Sequence, residues 1–150
     1  SFPAGIPFHR LETMGDAWPY KGKTDYLFPQ DHGYQYRGYV LDKEKRPTFR
    51  YHYGVISVED FFEDLLDREG KAFFRRTMTF ATKAAQESFY LRVGSAPSIT
   101  RDGSAWKVGR LTLRVPGDMK ALVREGEPKE LLLEVTLPVG RTVMSLEYQW

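Results

Sequence analysis

Leu131, Leu133, Val135 and Leu137 occupy every second position of one run, and after Pro138-Val139-Gly140-Arg141 the pattern returns as Met144, Leu146, Tyr148 and Trp150. A period of two places such side chains on one face of an extended chain, whereas a helix would scatter them around its circumference. Leu111, Leu113 and Val115 repeat the pattern with Thr112 and Arg114 facing the other way, and Phe89, Leu91 and Val93 repeat it around Tyr90 and Arg92. These are half-buried antiparallel strands. Turn signals recur about every eight to twelve residues and bracket further runs at 55–62, 72–80, 87–93, 105–108, 110–115, 120–124, 129–137 and 142–150. The only helical candidate, 58–68, carries Phe61, Phe62, Leu65 and Leu66 among acids, and its start reads better as strand. The expectation is an all-β fold, an antiparallel β-sandwich of jelly-roll or immunoglobulin-like form over residues 34–150.

Before it, residues 1–33 have little periodicity. Pro3, Gly5, Pro7, Gly15, Pro19, Gly22, Pro29 and Gly33 interrupt every candidate element. Phe2, Phe8, Trp18, Tyr20, Tyr26 and Phe28 are too aromatic for a disordered tail, so an irregular arm pinned to the body by its rings is expected. A chain of 150 residues suits one domain burying about two thirds of its unfolded surface. Cysteine is absent, which excludes disulfides, thiolate metal sites, cysteine nucleophiles and covalent haem attachment on this chain, without fixing a compartment. The net charge of +2 comes from interspersed acids and bases, so nucleic acid is not an expected partner. No apolar run reaches the roughly 18 residues of a membrane span. The chain starts at Ser1 without an initiator methionine or signal-like run, and a processed or excised piece of a longer protein is expected.

Residues 35–53 read as a β-hairpin around the charged turn Lys43-Glu44-Lys45-Arg46, with Pro47 stiffening its exit. Pairing Leu41 with Thr48 sets Val40 opposite Phe49, Gly38 opposite Tyr51 and Tyr36 opposite Tyr53 on a packing face. Tyr39–Arg50 and Arg37–His52 then share the outward face. Arg37, Tyr39, Arg50 and His52, with Trp18 or Tyr34 nearby, have the chemistry of a sugar or carboxylate binder, in which rings stack on C–H faces and guanidinium forks hold oxygens. The competing reading is an ordinary solvated strand face.

His9, His32 and His52 are too far apart for a local metal motif, but a sandwich could gather them around copper or zinc. Glu59, Asp60, Glu63, Asp64, Asp67 and Glu69 lack the spacing of a calcium loop. They are expected instead to pair with bases on the next strand, Glu59 with Arg76 and Asp60 with Arg75, in exposed pairs adding under about 1 kcal/mol each. There is no G-x-S-x-G elbow, H-E-x-x-H motif, P-loop or dinucleotide fingerprint.

Phe28-Pro-Gln-Asp-His-Gly-Tyr-Gln-Tyr-Arg-Gly-Tyr, Leu41-Asp42, Arg46-Pro47-Thr48-Phe49-Arg50-Tyr51, Gly54, Val58-Glu59-Asp60, Phe74-Arg75-Arg76-Thr77 and Leu146-Glu147-Tyr148-Gln149-Trp150 together resemble an all-β segment of large exported c-type cytochromes and haem-binding proteins of planctomycete and verrucomicrobial bacteria. The resemblance runs from about Phe8 to the C-terminus. Its most specific pieces are Gly-Tyr-x-Tyr-Arg-Gly-Tyr and Arg-Pro-Thr-Phe-x-Tyr. It implies a periplasmic or extracellular setting beside redox domains, in bacteria that degrade complex polysaccharides. In that family haem sits on separate domains with C-x-x-C-H motifs, which this chain lacks, so haem binding is carried over to no residue here and no catalytic residue is transferred. The expected function is a non-catalytic accessory module, without a cofactor of its own, that binds polysaccharide or docks a neighbouring protein domain. The alternatives are a copper- or zinc-dependent enzyme acting on polysaccharide, with His9, His32 and His52 as ligands, and a purely structural domain.

Overall fold

Alternating burial along the chain sorts the strands into two antiparallel sheets with the apolar core between them. The computed structural model describes residues 8–10 and 34–150. The strands are β1 (Phe8–Arg10), β2 (Tyr34–Leu41), β3 (Pro47–Tyr53), β4 (Ile56–Leu66), β5 (Ala72–Thr82) and β6 (Gln86–Ala96), followed by β7 (Ile99–Asp102), β8 (Ala105–Val108), β9 (Leu111–Arg114), β10 (Ala121–Arg124), β11 (Lys129–Leu137) and β12 (Gly140–Gln149). The smaller sheet has the order β1-β6-β11-β10 and the larger β2-β3-β4-β5-β12-β9-β8-β7. This is an all-β sandwich. Of the N-terminal segment expected to be irregular, residues 8–10 form β1 against β6, and the remainder lies outside the described residues.

The predicted alternation holds where it was clearest. Leu131, Leu133, Val135 and Leu137 face Met144, Leu146 and Tyr148 across the core, and all seven are buried. Trp150 ends the second row, half exposed but edge-on to Phe74 at 5.3 Å between ring centres. Phe89, Leu91 and Val93 on β6 complete the packing from the small sheet, and Tyr53 meets Phe89 edge-to-face at 5.3 Å across the gap. Close approach matters at Gly94, where an added Cβ would lie 3.0 Å from Cγ1 of Val108.

Residues 58–68 adopt strand, not helix, up to Leu66. Strand β7 goes beyond the expected set, because Ile99 is its one apolar residue and gives no alternation to read.

The hairpin register differs from the expected one. Leu41 pairs with Pro47, Val40 with Thr48 and Tyr39 with Phe49, and then the register slips so that Tyr36 pairs with Tyr51, Gln35 with His52 and Tyr34 with Tyr53. The slip is a bulge at Arg37 and Gly38, which glycine permits by adopting φ +96°. The turn is closed by Asp42, outside the four residues assigned to it. Its Oδ1 accepts the backbone N–H groups of Glu44 (2.9 Å) and Arg46 (2.8 Å), and its Oδ2 accepts Arg46 Nε (2.7 Å). The β4–β5 turn repeats the device: Asp67 Oδ1 accepts from the N–H groups of Glu69 and Lys71, both at 2.9 Å, and Gln149 Nε2 donates to Oδ2 at 3.1 Å. The two loops read Asp42-Lys43-Glu44-Lys45-Arg46 and Asp67-Arg68-Glu69-Gly70-Lys71. Their fourth residues, Lys45 and Gly70, take φ +62° and +78°.

Candidate functional site

The register decides what the hairpin can present. On β3, Tyr51 is buried in the core and Phe49 packs beside it, which turns Arg50 and His52 to the outer face of the large sheet. Arg50 there approaches Glu59 at 3.9 Å. Tyr39, level with Phe49, is on the opposite face, 59% exposed, with its ring 6.0 Å from that of Phe49. Arg37 lies in the bulge, exposed, and His52 is level with Gln35 in its place. The expected row is therefore divided: Arg50 and His52 stay together, while Tyr39 leaves them. Tyr34 is level with Tyr53 in β2, and Trp18 lies outside the described residues. His9 belongs to β1 of the small sheet and His52 to the outer face of the large one, with the core between, and His32 lies outside the described residues. Among the described residues no three His, Asp or Glu groups are placed to hold a metal ion.

The acidic segment also divides by face. Glu59 pairs with Thr79 and Asp60 with Met78, so the expected pairing with Arg76 and Arg75 is out by three positions. On the outer face Glu63, Arg75, Glu147 and Arg114 lie level on four neighbouring strands, a ladder of alternating charge that Arg46 extends by reaching Glu63 at 3.3 Å. Asp60 points inward. Arg76 clamps its carboxylate through Nε (2.8 Å) and Nη2 (2.6 Å), and the Tyr51 hydroxyl donates to it at 2.9 Å. Burial acts to lower the Arg76 pKa, but the charge and hydrogen bonds of Asp60 outweigh it and raise it further above its ordinary value. Tyr148 is kept protonated by burial, which raises its pKa. This network is enclosed and supports the sheet rather than a ligand.

The larger hollow is elsewhere. β9 pairs with β12 only over Glu147–Gln149, and the chain then crosses through residues 115–120 to β10 in the other sheet. Among the described residues the first half of β12 has no strand neighbour on that side, and a cleft of about 670 Å³ opens there between β12, β11 and the crossing loop. Thr136 and Thr142 line it, with Asp118, Lys120 and Glu134 as its charged residues and Met119, Val135, Val143 and Met144 as its apolar ones; Ser145 also borders it, with its hydroxyl 3.3 Å from that of Thr77 on β5. A free strand edge adds backbone donors and acceptors that need partners. Sequence reasoning missed this site because its residues come from three separated segments. The one local signal was Pro116-Gly117-Asp118, a turn too long to be a simple hairpin.

Comparison with family models, with curated proteins and with solved structures returns no match. No helix of the described residues is long and apolar enough to cross a membrane.

Proposed function

We propose that this chain is a non-catalytic accessory module of an exported protein and that it binds a polysaccharide in the cleft beside β12. The observation that carries the reading is the free edge of β12 bordering a cleft rich in hydroxyl and charged groups. A ligand there must supply many donors and acceptors while covering Met119 and Val143, which suits a sugar chain with its alternating O–H and C–H surfaces. The exported setting rests on the family resemblance alone.

Retention on insoluble polysaccharide tests the cleft against the hairpin face. Thr136→Trp, at an exposed cleft position, should reduce retention about tenfold or more, a loss of about 1.4 kcal/mol. The double variant R50A/H52A should be retained as wild type is. Undiminished binding by Thr136→Trp, with its melting temperature unchanged, would remove the cleft from the account.

A second reading has its own observation. Among the described residues β2 is one of the two edge strands of the large sheet, and it leaves Tyr39, Val40 and Leu41 about half exposed, a short apolar edge suited to docking a neighbouring protein domain by strand addition. Proline at Val40 would abolish such docking and leave polysaccharide retention intact.

A further inference from the structure

On the far side of the crossing loop lies a smaller hollow of about 290 Å³, near the lower end of the roughly 300–1,000 Å³ typical of small-molecule sites. Trp106 forms one wall, and Arg101, level with it on the neighbouring strand, lays its guanidinium over the indole at 5.7 Å. Arg101 Nε donates to the Gly103 carbonyl at 3.2 Å, so the group is held in place, and among the described residues nothing hydrogen-bonds to its two Nη nitrogens. Arg114 and Ser104 border the same space, and Val115 and Met119 supply apolar surface. The Arg114 side chain belongs to the outer face, level with Glu147; among the described residues no carboxylate lines the hollow, and Arg101 has no acidic side chain within 4.0 Å. That contrasts with Arg46, Arg50, Arg75, Arg76, Arg92 and Arg124, each of which has one.

We propose that this pocket takes a single sugar ring bearing a carboxylate, a uronic acid residue. The open end of the Arg101 guanidinium provides bidentate geometry for the carboxylate. Indole, valine and methionine provide the surface for the ring's C–H face, and Ser104 a hydroxyl contact. Pro116 and Met119 border both hollows. A chain lying in the cleft can therefore continue around the loop and place an acidic residue against Trp106. The inference deepens the polysaccharide reading and rests on it, but the pocket has a probe of its own.

That probe is sodium D-glucuronate, followed by the Trp106 indole N–H resonance of the whole chain. Glucuronate at millimolar concentration should shift the resonance saturably while D-glucose leaves it in place. Arg101→Gln should weaken the response at least about fivefold, roughly 1 kcal/mol. Arg114→Gln, on the outer face beside Glu147, and Thr136→Trp, in the cleft, should not alter it. No shift with glucuronate, or an equal shift with sodium acetate, would overturn the proposal, the latter by reducing the pocket to a general anion contact. Neutral polysaccharide retained by wild type with no glucuronate response would sink the pocket and spare the cleft. A glucuronate response with no retention of any polysaccharide would do the reverse.

Discussion

Asp60 and Glu59 are neighbours in sequence and opposites in environment, which makes their replacement by alanine a sharp test of the fold. Asp60→Ala strands the guanidinium of Arg76, whose side chain is 7% exposed, without the carboxylate that neutralises it, and it also removes the acceptor for the Tyr51 hydroxyl. Breaking a buried pair from one side costs about 3–5 kcal/mol. For a domain of this size that lowers the melting temperature by roughly 10 °C. Glu59→Ala removes only a contact of 3.9 Å between half-exposed groups, and should cost under about 1 kcal/mol. The double variant D60L/R76M replaces both charges by apolar groups, and should lie within about 2 kcal/mol of the wild type. Urea denaturation of the four proteins, with slopes compared to confirm an unchanged unfolding surface, measures all of this. If Asp60→Ala costs no more than Glu59→Ala, or if D60L/R76M costs as much as Asp60→Ala, the inward clamp does not exist as described.

Three further expectations follow from the turns and from Gly94. Lys45 bears a side chain in the left-handed region where the twin turn has Gly70, so Lys45→Gly should stabilise and Gly70→Ala destabilise, each by about 1 kcal/mol in thermal melts. The backbone N–H of Arg46 foremost, with the Arg46 side chain and the Glu44 N–H, lowers the pKa of Asp42; the N–H of Lys71 foremost, with Gln149 and the Glu69 N–H, lowers that of Asp67. A lowered folded pKa gives stability that is present above the ordinary value of 3.8 and is lost as pH falls below it toward the folded value. Acid titration of the double variant D42N/D67N should therefore show a shallower loss of stability below that pH than wild type. Gly94→Ala forces a methyl against Val108 and should cost about 1–3 kcal/mol by denaturation, with Val108→Ala in the same chain recovering part of it.

Fold class was legible in the chain wherever one face of a strand is apolar and the other polar, as at 131–137 and 142–150. Register was not. A single bulge at Arg37-Gly38 moves Tyr39 away from Arg50 and His52, and a lone glycine in an aromatic run does not announce whether it continues the pleat or breaks it. The acids of β4 were seen to need bases, but their register against β5 was read three positions out, so a buried clamp was taken for an exposed pair. The cleft and the Trp106 pocket were beyond reach because both arise where β9 stops pairing with β12 and the chain crosses between sheets. That is a fact of topology rather than of any local pattern.

Leu132 is fully buried on the side of β11 turned away from the core, against Tyr90, with Glu130 nearby joined to Arg92 at 2.9 Å and Arg124 at 3.1 Å. Strand β11 is thus dry on both sides at its middle, as the unbroken Leu131-Leu132-Leu133 suggests. Its amides should be the last to exchange with deuterium, and the minor sheet, despite its size, becomes the keel of the molecule. Selection can then reshape the broad exterior of the major sheet from one descendant to another, while changes at Leu132 would reach the centre of the domain.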